Sequence, residues 1–187
     1  PIPEFLTNSL KQVEPWTPAK AIDNAIQLLP VKSNLHFLAI NVSQGNEIIS
    51  EDDWKNVGAS YARCSVSKSF EQNSIDTFCD IINKELNKIN NNETLVCLVY
   101  SGCGHNRVGF CIASYLTRTC NVELSDALKK VDKSSPCLIH QQKPLDTLST
   151  VFKTSPQIHG PPPKTVKPDE KIHAIGDPNL PFEKYNG

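Results

Sequence analysis

The hydrophobic residues of this chain fall into two kinds of pattern, short apolar runs and stripes at helical spacing. Residues 35–42 and 94–100 are apolar runs of the length that buried strands have. Residues 60–66 alternate between apolar and polar side chains, which predicts a third strand. The clearest helix is 74–89, where apolar residues recur every three or four positions.

Further segments lie before, between and after these four. They are a short helix at 19–29 that Pro30 ends, a helix start at 50–54, a helix from about 107 to 119, a short helix at 123–131, and residues 144–152, which complete the domain. Ser50 is in the N-cap position of its helix, and Asp53 is in the position that completes a capping box. Strands that alternate with helices predict an α/β fold with a central, mostly parallel sheet flanked by helices.

The two ends of the chain differ from the middle in composition. Residues 1–17 contain several prolines and Trp16, and we expect them to wrap the surface of the domain. From residue 154 onward, prolines interrupt any regular pattern. We therefore predict one domain at 1–153 and a proline-rich tail at 154–187, which is either an extended linker or an arm docked on the domain.

Charge and hydropathy narrow the classes of function. The formal net charge is −1, so the chain lacks the overall positive field of many nucleic-acid-binding proteins, although a local basic pocket is compatible with this value. No apolar run approaches the roughly 20 residues of a membrane helix, and no signal-peptide pattern opens the chain. We expect an intracellular protein, in the nucleus or the cytoplasm, with no membrane partner.

The chain has seven cysteines, an odd number, and most of them lie within apolar strand or helix patterns. It contains no Cys-x-x-Cys pair and no Cys/His spacing typical of zinc sites. We interpret the cysteines mostly as reduced core residues in a reducing compartment, and we expect neither a metal nor a cofactor.

The segment after the 94–100 strand carries the most specific chemical signal. It reads Ser-Gly-Cys-Gly-His-Asn-Arg over residues 101–107, a glycine-containing loop that leads into a helix. Backbone N–H groups at such a junction converge on one spot, and the helix dipole adds positive potential there. Arg107 adds a planar, permanently charged group of donors. We predict a phosphate-binding loop that consists of Gly102, Cys103, Gly104, His105, Asn106 and Arg107.

This loop resembles the signature of cysteine-dependent phosphatases, His-Cys-x5-Arg followed by Thr or Ser and Gly. Within that superfamily it is most similar to the RNA 5′-triphosphatase domain of animal-type mRNA capping enzymes, whose signature runs His-Cys-Thr-His-Gly-Phe-Asn-Arg-Thr-Gly. Aligned on Arg107, this chain keeps Gly104, Asn106 and Gly109 at the matching positions. The similarity covers roughly residues 5–153 and implies a cysteine-phosphatase-like fold of dual-specificity size.

The positions that would perform catalysis depart from the family pattern. In the family, a cysteine thiolate attacks the γ-phosphorus, and here Ser101 is at that position. Tyr100 replaces the histidine that helps to keep the thiolate ionised, and Val108 replaces the hydroxyl residue that supports the sulfur. A serine hydroxyl is far less acidic than a thiol. We expect the His105 side chain to point away from the cradle into solvent, so that no adjacent base activates the serine.

Two further residues near the loop have alternative interpretations. Cys103 stands four residues before Arg107 rather than six, so we interpret it as a small loop filler rather than a catalytic thiol. Residues 67–72 match the loop that often carries an aspartate general acid in these phosphatases, and they contain no Asp. This absence fits a triphosphatase, whose leaving group hardly needs a proton, and it also fits an inactive domain. Lys68 is either an accessory contact to an anionic ligand or a solvated surface lysine.

Several functions stay open on the sequence alone. The first is a catalytically impaired, phosphatase-like domain that keeps its phosphate-binding loop and binds the 5′-phosphorylated end of an RNA or a phosphorylated protein tail. The second is an active RNA 5′-triphosphatase or dual-specificity phosphatase whose nucleophilic cysteine was changed to Ser101. The third is a protein-interaction scaffold, and the last is an unrelated α/β domain with a chance loop match.

Tyr100 and Val108 favour natural loss of catalysis, because a single engineered change at the nucleophile would not involve them. In the capping family a guanylyltransferase follows the triphosphatase. The resemblance therefore implies a guanylyltransferase module as a partner, in the same chain or in the same pathway.

Overall fold

Six helices and three strands alternate along the part of the chain that the structure describes. The computed structural model describes residues 16–30, 34–45, 49–102, 105–134 and 139–153. In chain order the elements are α1 (Pro18–Leu28), β1 (Leu35–Asn41), α2 (Glu51–Lys55), β2 (Ser60–Arg63), α3 (Gln72–Leu86), β3 (Thr94–Tyr100), α4 (Asn106–Arg118), α5 (Leu124–Ser134) and α6 (Gln142–Phe152). This alternation confirms the predicted α/β class. The predicted tail and most of the N-terminal segment lie outside the described residues.

The three strands form one parallel sheet in the order β2-β1-β3. Asn41, the last residue of β1, pairs with Arg63 of β2 and with Tyr100 of β3. Each of these partners is also the last residue of its strand, so all three strands end at the same level. The loops that follow them therefore leave from one edge of the sheet, the edge at which parallel sheets usually bind ligands.

Helices cover both faces of this sheet and divide the core in two. On one face, α3, α4, α5 and α6 pack over the larger core. Its fully buried aromatic and aliphatic side chains include Leu38, Ile40, Val42, Ile75, Phe78, Phe110 and Leu148. On the other face, α1 and α2 cover a smaller core around Trp54, which is 0% exposed. Among the described helices, none is long and apolar enough to span a membrane.

The helix ends follow the sequence signals in most places. The predicted capping box is present, since Ser50 Oγ accepts from the Asp53 N–H at 3.2 Å and Asp53 Oδ2 accepts from the Ser50 N–H at 2.8 Å. Two helix ends differ by three residues, and β2 ends at Arg63, three residues before the predicted end at 66. The helix α3 ends at Leu86, earlier than predicted, and α5 continues to Ser134, later than predicted. Helix ends fray and depend on tertiary contacts, which sequence periodicity does not report.

A buried carboxylate lies at the amino end of the sheet, opposite the edge where the strands end. Glu85 of α3 is 5% exposed. His36 Nε2 donates to its carboxylate at 2.8 Å, and Lys88 Nζ donates at 2.7 Å. Burial raises the pKa of Glu85, but hydrogen bonds from Lys88, Ser60 and His36 outweigh this effect and hold the pKa at about 2, below its ordinary 4.5. The carboxylate is therefore ionised in the folded chain at neutral pH.

Stability is expected to fall in acid because of this carboxylate. A lowered pKa in the folded state contributes stability above pH 4.5, and this contribution is lost as the pH falls to about 2. The loss is on the order of 3 kcal/mol, since one pKa unit corresponds to about 1.4 kcal/mol. Urea unfolding of the wild type and of Glu85→Gln, measured at pH 6 and at a pH of about 2, checks this expectation. An equally steep acid dependence in Glu85→Gln would show that other carboxylates cause it.

Candidate anion-binding site

Three loops meet at the carboxyl edge of the sheet, one after each strand. They are the β1 loop from Val42 to Gly45, the β2 loop from Cys64 to Glu71 and the β3 loop that begins at Ser101. One hydrogen bond joins Gly102 of the β3 loop to the β1 loop, and another joins Arg107, in the helix that follows the β3 loop, to the β2 loop. The predicted phosphate-binding loop therefore lies at the junction of all three. Cys103 and Gly104 of that loop lie outside the described residues.

Arg107 is half-buried in the first turn of α4. Its Nε donates to the backbone carbonyl of Val66 in the β2 loop at 2.8 Å. This bond uses one of the five guanidinium donors and fixes the plane of the group. The remaining N–H groups belong to a planar array with the geometry that binds phosphate or carboxylate by two parallel bonds.

The start of α4 supplies further positive potential beside this arginine. The helix runs from Asn106 to Arg118, and its N-cap residue is His105, whose side chain makes no capping hydrogen bond. An α-helix leaves the N–H groups of its first turn without intrahelical acceptors, and here these include the N–H groups of Asn106 and Arg107. A helix start with such donors and an adjacent arginine can bind an anion.

Ser101, at the nucleophile position, is half-buried where β3 passes into the loop. The next residue, Gly102, donates its N–H to Ser43 Oγ at 2.9 Å. Ser43 is held in turn by Asn41, whose side-chain oxygen accepts the Ser43 N–H at 2.9 Å. Asn41 is 2% exposed, so this chain of bonds ties the entry of the loop to the sheet.

Tyr100 has a structural role on the opposite face of the sheet from α4. Its hydroxyl accepts a hydrogen bond from Trp54 Nε1 at 3.0 Å. The rings of Trp16, Trp54 and Tyr100 pack with centroids 5.5 to 5.9 Å apart. The tyrosine thus satisfies the indole N–H of a buried tryptophan, which would otherwise be a buried donor without a partner. Its side chain belongs to the α1/α2 layer rather than to the loop.

Val108 is 7% exposed and packs in the larger core. It has no hydroxyl to donate towards the loop, so the structure places an apolar side chain where the phosphatase pattern has a hydrogen-bonding one. Tyr100 and Val108, the two positions beside the loop that depart from the phosphatase pattern, thus both carry side chains that pack in the cores.

Asn106 connects the start of α4 to α6. It is 9% exposed, and its side-chain oxygen accepts the backbone N–H groups of His140 at 2.9 Å and Gln141 at 3.0 Å. Its Nδ2 lies 3.1 Å from His140 Nε2. The side chain is thus committed to protein contacts, and the backbone N–H is the group that it can offer to an anion.

His105 differs from the sequence expectation of a solvent-facing side chain. It is half-buried, and its ring packs edge-on against the His140 ring with centroids 5.7 Å apart. The physical reason is the Asn106 contact, which brings the segment before α6 against this loop. The residue is a packing partner of α6.

The β2 loop contains a strained residue next to its end. Phe70 is 4% exposed and has a φ of +52°, a region that residues other than glycine rarely adopt. Its ring packs edge-on against Phe110 of α4 with centroids 5.2 Å apart. Lys68, the accessory candidate, is exposed in this loop, and Glu71 accepts hydrogen bonds from Ser67 and Ser69. Packing against α4 thus holds the loop that Arg107 contacts.

Sequence reasoning missed three groups of this site, Ser43, the Val66 carbonyl and His140. A backbone carbonyl carries no sequence signal, and the other two are distant from the loop along the chain. Ser43 could have been suspected, because a polar residue directly after a buried parallel strand lies at the binding edge of the sheet.

The described cysteines are free thiols, and those in the core are poor nucleophiles. Burial raises the pKa of Cys64 and of Cys97 to about 11, and burial raises that of Cys111 well above its usual range. A thiol reacts as the thiolate, so these residues are unreactive at neutral pH. Within the described ranges, no three His, Cys, Asp or Glu side chains are grouped so as to hold a metal ion.

Comparison with known proteins gives similarity in structure and none in sequence. No protein-family model matches the chain, and no curated protein matches it by sequence. A mutant form of Tk-PTP is similar in structure, with a TM-score of 0.55 and 14% identity over 72% of this chain and 83% of that one. PTPMT1 has a TM-score of 0.54 and 14% identity, over 75% of this chain and 87% of its own.

A third similar structure is a leucine-rich-repeat and phosphatase-domain-containing protein from Entamoeba histolytica. Its TM-score is 0.50 and its identity 15%, over 75% of this chain and 84% of that one. At such identities the likeness concerns the fold. The chain has the fold of the cysteine-dependent phosphatases of the tyrosine and dual-specificity type.

Proposed function

We propose that this chain is a catalytically impaired, phosphatase-like domain that keeps an anion-binding loop and binds the 5′-phosphorylated end of an RNA. The observation that carries the proposal is Arg107, half-buried beside the uncapped start of α4 at the edge where all three parallel strands end. Each of these features favours a bound anion, and together they act on one spot.

The proposed loss of catalysis is supported by three neighbouring positions. Ser101 supplies a hydroxyl in place of a thiol, and a hydroxyl needs an adjacent general base to become a nucleophile. Tyr100 is bonded to Trp54 and Val108 is packed in the core, so neither assists a nucleophile at the loop. Binding of the phosphate does not require any of these three groups to react.

The choice of an RNA end as ligand is supported by the similarity of the loop to capping-type RNA 5′-triphosphatases. A chain of phosphates carries more negative charge than a single phosphate, which strengthens its attraction to Arg107 and to the positive start of α4. If the domain acts in capping, a guanylyltransferase is its partner, and the protein acts where nascent RNA is processed.

Equilibrium binding tests the proposal directly. A short RNA that carries a 5′-triphosphate is expected to bind more tightly than the same RNA with a 5′-hydroxyl, at a fixed salt concentration. A serine-phosphorylated peptide tests the alternative ligand. Equal affinity for the two RNAs would contradict the proposal, and preference for the peptide would replace the RNA end by a protein ligand.

Substitution Ser101→Cys is expected to leave phosphate release from 5′-triphosphate RNA unchanged, although it restores the thiol. The helix start and Arg107 favour the thiolate there, but the supporting hydroxyl at Val108 is absent. Phosphate release without added metal is measured together with the rate at which iodoacetamide modifies the introduced thiol. Peptide mass mapping separates the introduced thiol from the other cysteines, of which Cys120 is exposed, and the buried cysteines give little background because burial raises their pKa values.

The alkylation rate is the control that makes a negative result informative. A reactive thiol without turnover supports the loss of catalysis beyond the nucleophile. Turnover well above that of the wild type would show instead that the nucleophile alone was missing, which is the active-parent alternative.

A further inference from the structure

We infer that Asn106 and His140 form a pH-sensitive anchor that holds the start of α4, and with it the anion-binding loop, against the N-terminal end of α6. The functional part of this inference rests on the proposed anion-binding role of the loop. The anchor itself rests on three contacts among five atoms, and it assigns to Asn106 the role of a positioning residue.

The orientation of the Asn106 amide is determined by its partners. Two backbone N–H groups, of His140 and Gln141, point at one atom of the amide at 2.9 and 3.0 Å, so this atom is the oxygen. The other atom is therefore the NH₂ group, which can only donate. It lies 3.1 Å from His140 Nε2. Nε2 must be the acceptor in this bond, which requires a neutral His140 with its proton on Nδ1.

Protonation of His140 removes this acceptor. An imidazolium ring carries a proton on both nitrogens, so Nε2 would present a donor to the donor group of Asn106. Rotation of the amide does not relieve the conflict, because the NH₂ group would then face the two backbone N–H groups. Asn106 is 9% exposed, whereas His140 is an exposed residue, so the protonated ring turns to water while the buried NH₂ group of Asn106 loses its acceptor. The contact therefore belongs to the neutral ring alone.

The charged and titratable neighbours come from both sides of the contact. From the loop and α4 these are His105, whose ring centroid is 5.7 Å from that of His140, and Arg107, next to Asn106 in sequence. On the side of α6, the first charged residues are Lys143 and Asp146, and Asp146 Oδ1 accepts from Gln142 Nε2 at 2.8 Å. Two neighbouring histidines that both gain a proton would also repel each other.

The consequence for the loop follows from where the anchor sits. Asn106 is the first residue of α4, between His105 and Arg107, so its release loosens the backbone that carries the binding groups. We expect anion affinity to fall when the pH is lowered and the His140 ring gains a second N–H. This direction is opposite to that of simple charge addition, since a new positive charge near the loop would raise anion affinity.

The first experiment follows the contact between Asn106 and His140 in the absence of any anion. The side-chain amide resonance of Asn106 is followed by NMR between pH about 7.5 and about 5.5. It is expected to shift with pH in the wild type and in His105→Phe, which keeps the ring contact without a titrating group. It is expected to stay constant in His140→Gln, whose side-chain carbonyl accepts the same bond at every pH. A constant resonance in the wild type, or an equal shift in His140→Gln, overturns the anchor.

The second experiment measures the affinity of the loop for sulfate, an anion whose charge does not change over this pH range. Sulfate affinity of the wild type is expected to fall about tenfold across the range, and that of His140→Gln is expected to stay level. A rise in affinity in the wild type as the pH falls overturns the inference. Absence of sulfate and RNA binding at every pH refutes the proposed function instead, and the NMR result then still decides on the anchor.

Substitution Asn106→Asp is expected to reverse the direction in which sulfate affinity changes with pH. A carboxylate accepts both backbone N–H groups and pairs with the protonated His140, so the anchor would now form at low pH. The added negative charge lowers sulfate affinity overall, and the expected signature is therefore the slope, with affinity rising as the pH falls. A slope like that of the wild type contradicts the role given to Asn106.

Discussion

Replacement of Arg107 by alanine is expected to lower the affinity for a 5′-triphosphate RNA by about 10- to 100-fold. The substitution removes the planar donor group that lies beside the uncapped start of α4, and hydrogen bonds between charged partners are worth about 1.5–3 kcal/mol. It also removes the bond from Nε to the Val66 carbonyl, which is one of the contacts between the β2 loop and α4. Fluorescence anisotropy with a labelled RNA, at constant salt, measures the change.

The chain offers a matched control on the same helix. Arg118 lies in the last turn of α4 and pairs with Asp76, far from the loop along the helix axis. Arg118→Ala changes the net charge by the same amount and is expected to leave RNA affinity unchanged. Arg107→Lys keeps the charge without the planar geometry and should give an intermediate affinity. Equal losses in the two alanine variants would mean that binding responds only to overall charge.

Replacement of Phe110 by alanine is expected to destabilise the domain by about 3–5 kcal/mol. The side chain is 0% exposed and packs against Phe70, and a cavity would remain where the ring was. Phe70 has a φ of +52°, a conformation that persists only while its surroundings hold it. Loss of the ring contact should therefore loosen the β2 loop in addition to lowering stability. Urea unfolding monitored by circular dichroism gives the free energy.

Two substitutions calibrate this result. Phe110→Leu keeps most of the buried volume and is expected to cost about 1.5 kcal/mol or less. Leu28, at the end of α1, is 86% exposed, so Leu28→Ala should change stability by less than about 0.5 kcal/mol. A small effect of Phe110→Ala would show that the core around α4 collapses around the missing ring and that the β2 loop does not depend on it.

The predictable parts of the fold are those with local causes. The apolar run of β3 is typical of a strand that is covered on both faces, and the stripe of α3 is typical of a helix that is buried on one face. The Ser50 capping box depends on hydrogen bonds between residues three positions apart. The loop from Ser101 to Arg107 likewise predicts an anion-binding site from neighbouring residues alone, because it combines a glycine-containing turn, a helix start and an arginine.

The candidate site was less predictable where its contacts join distant parts of the chain. The sequence predicts a solvent-facing His105, but the residue packs against a histidine in the segment before α6. The sequence places Asn106 among the phosphate-binding residues, and in the structure its side chain binds that same segment. Tyr100 was recognised as a departure from a family pattern, and its contact with Trp54 gives it a structural reason.

By itself, the sequence determined the kind of domain and the chemistry of one loop, since periodicity, caps and a charged junction are properties of neighbouring residues. The tertiary structure alone decided which groups surround that loop. The common end level of β1, β2 and β3 brings Ser43, Val66 and Arg107 together, and the packing of α6 on α4 places His140 against Asn106. These contacts depend on strand register and helix packing, which only the folded chain establishes.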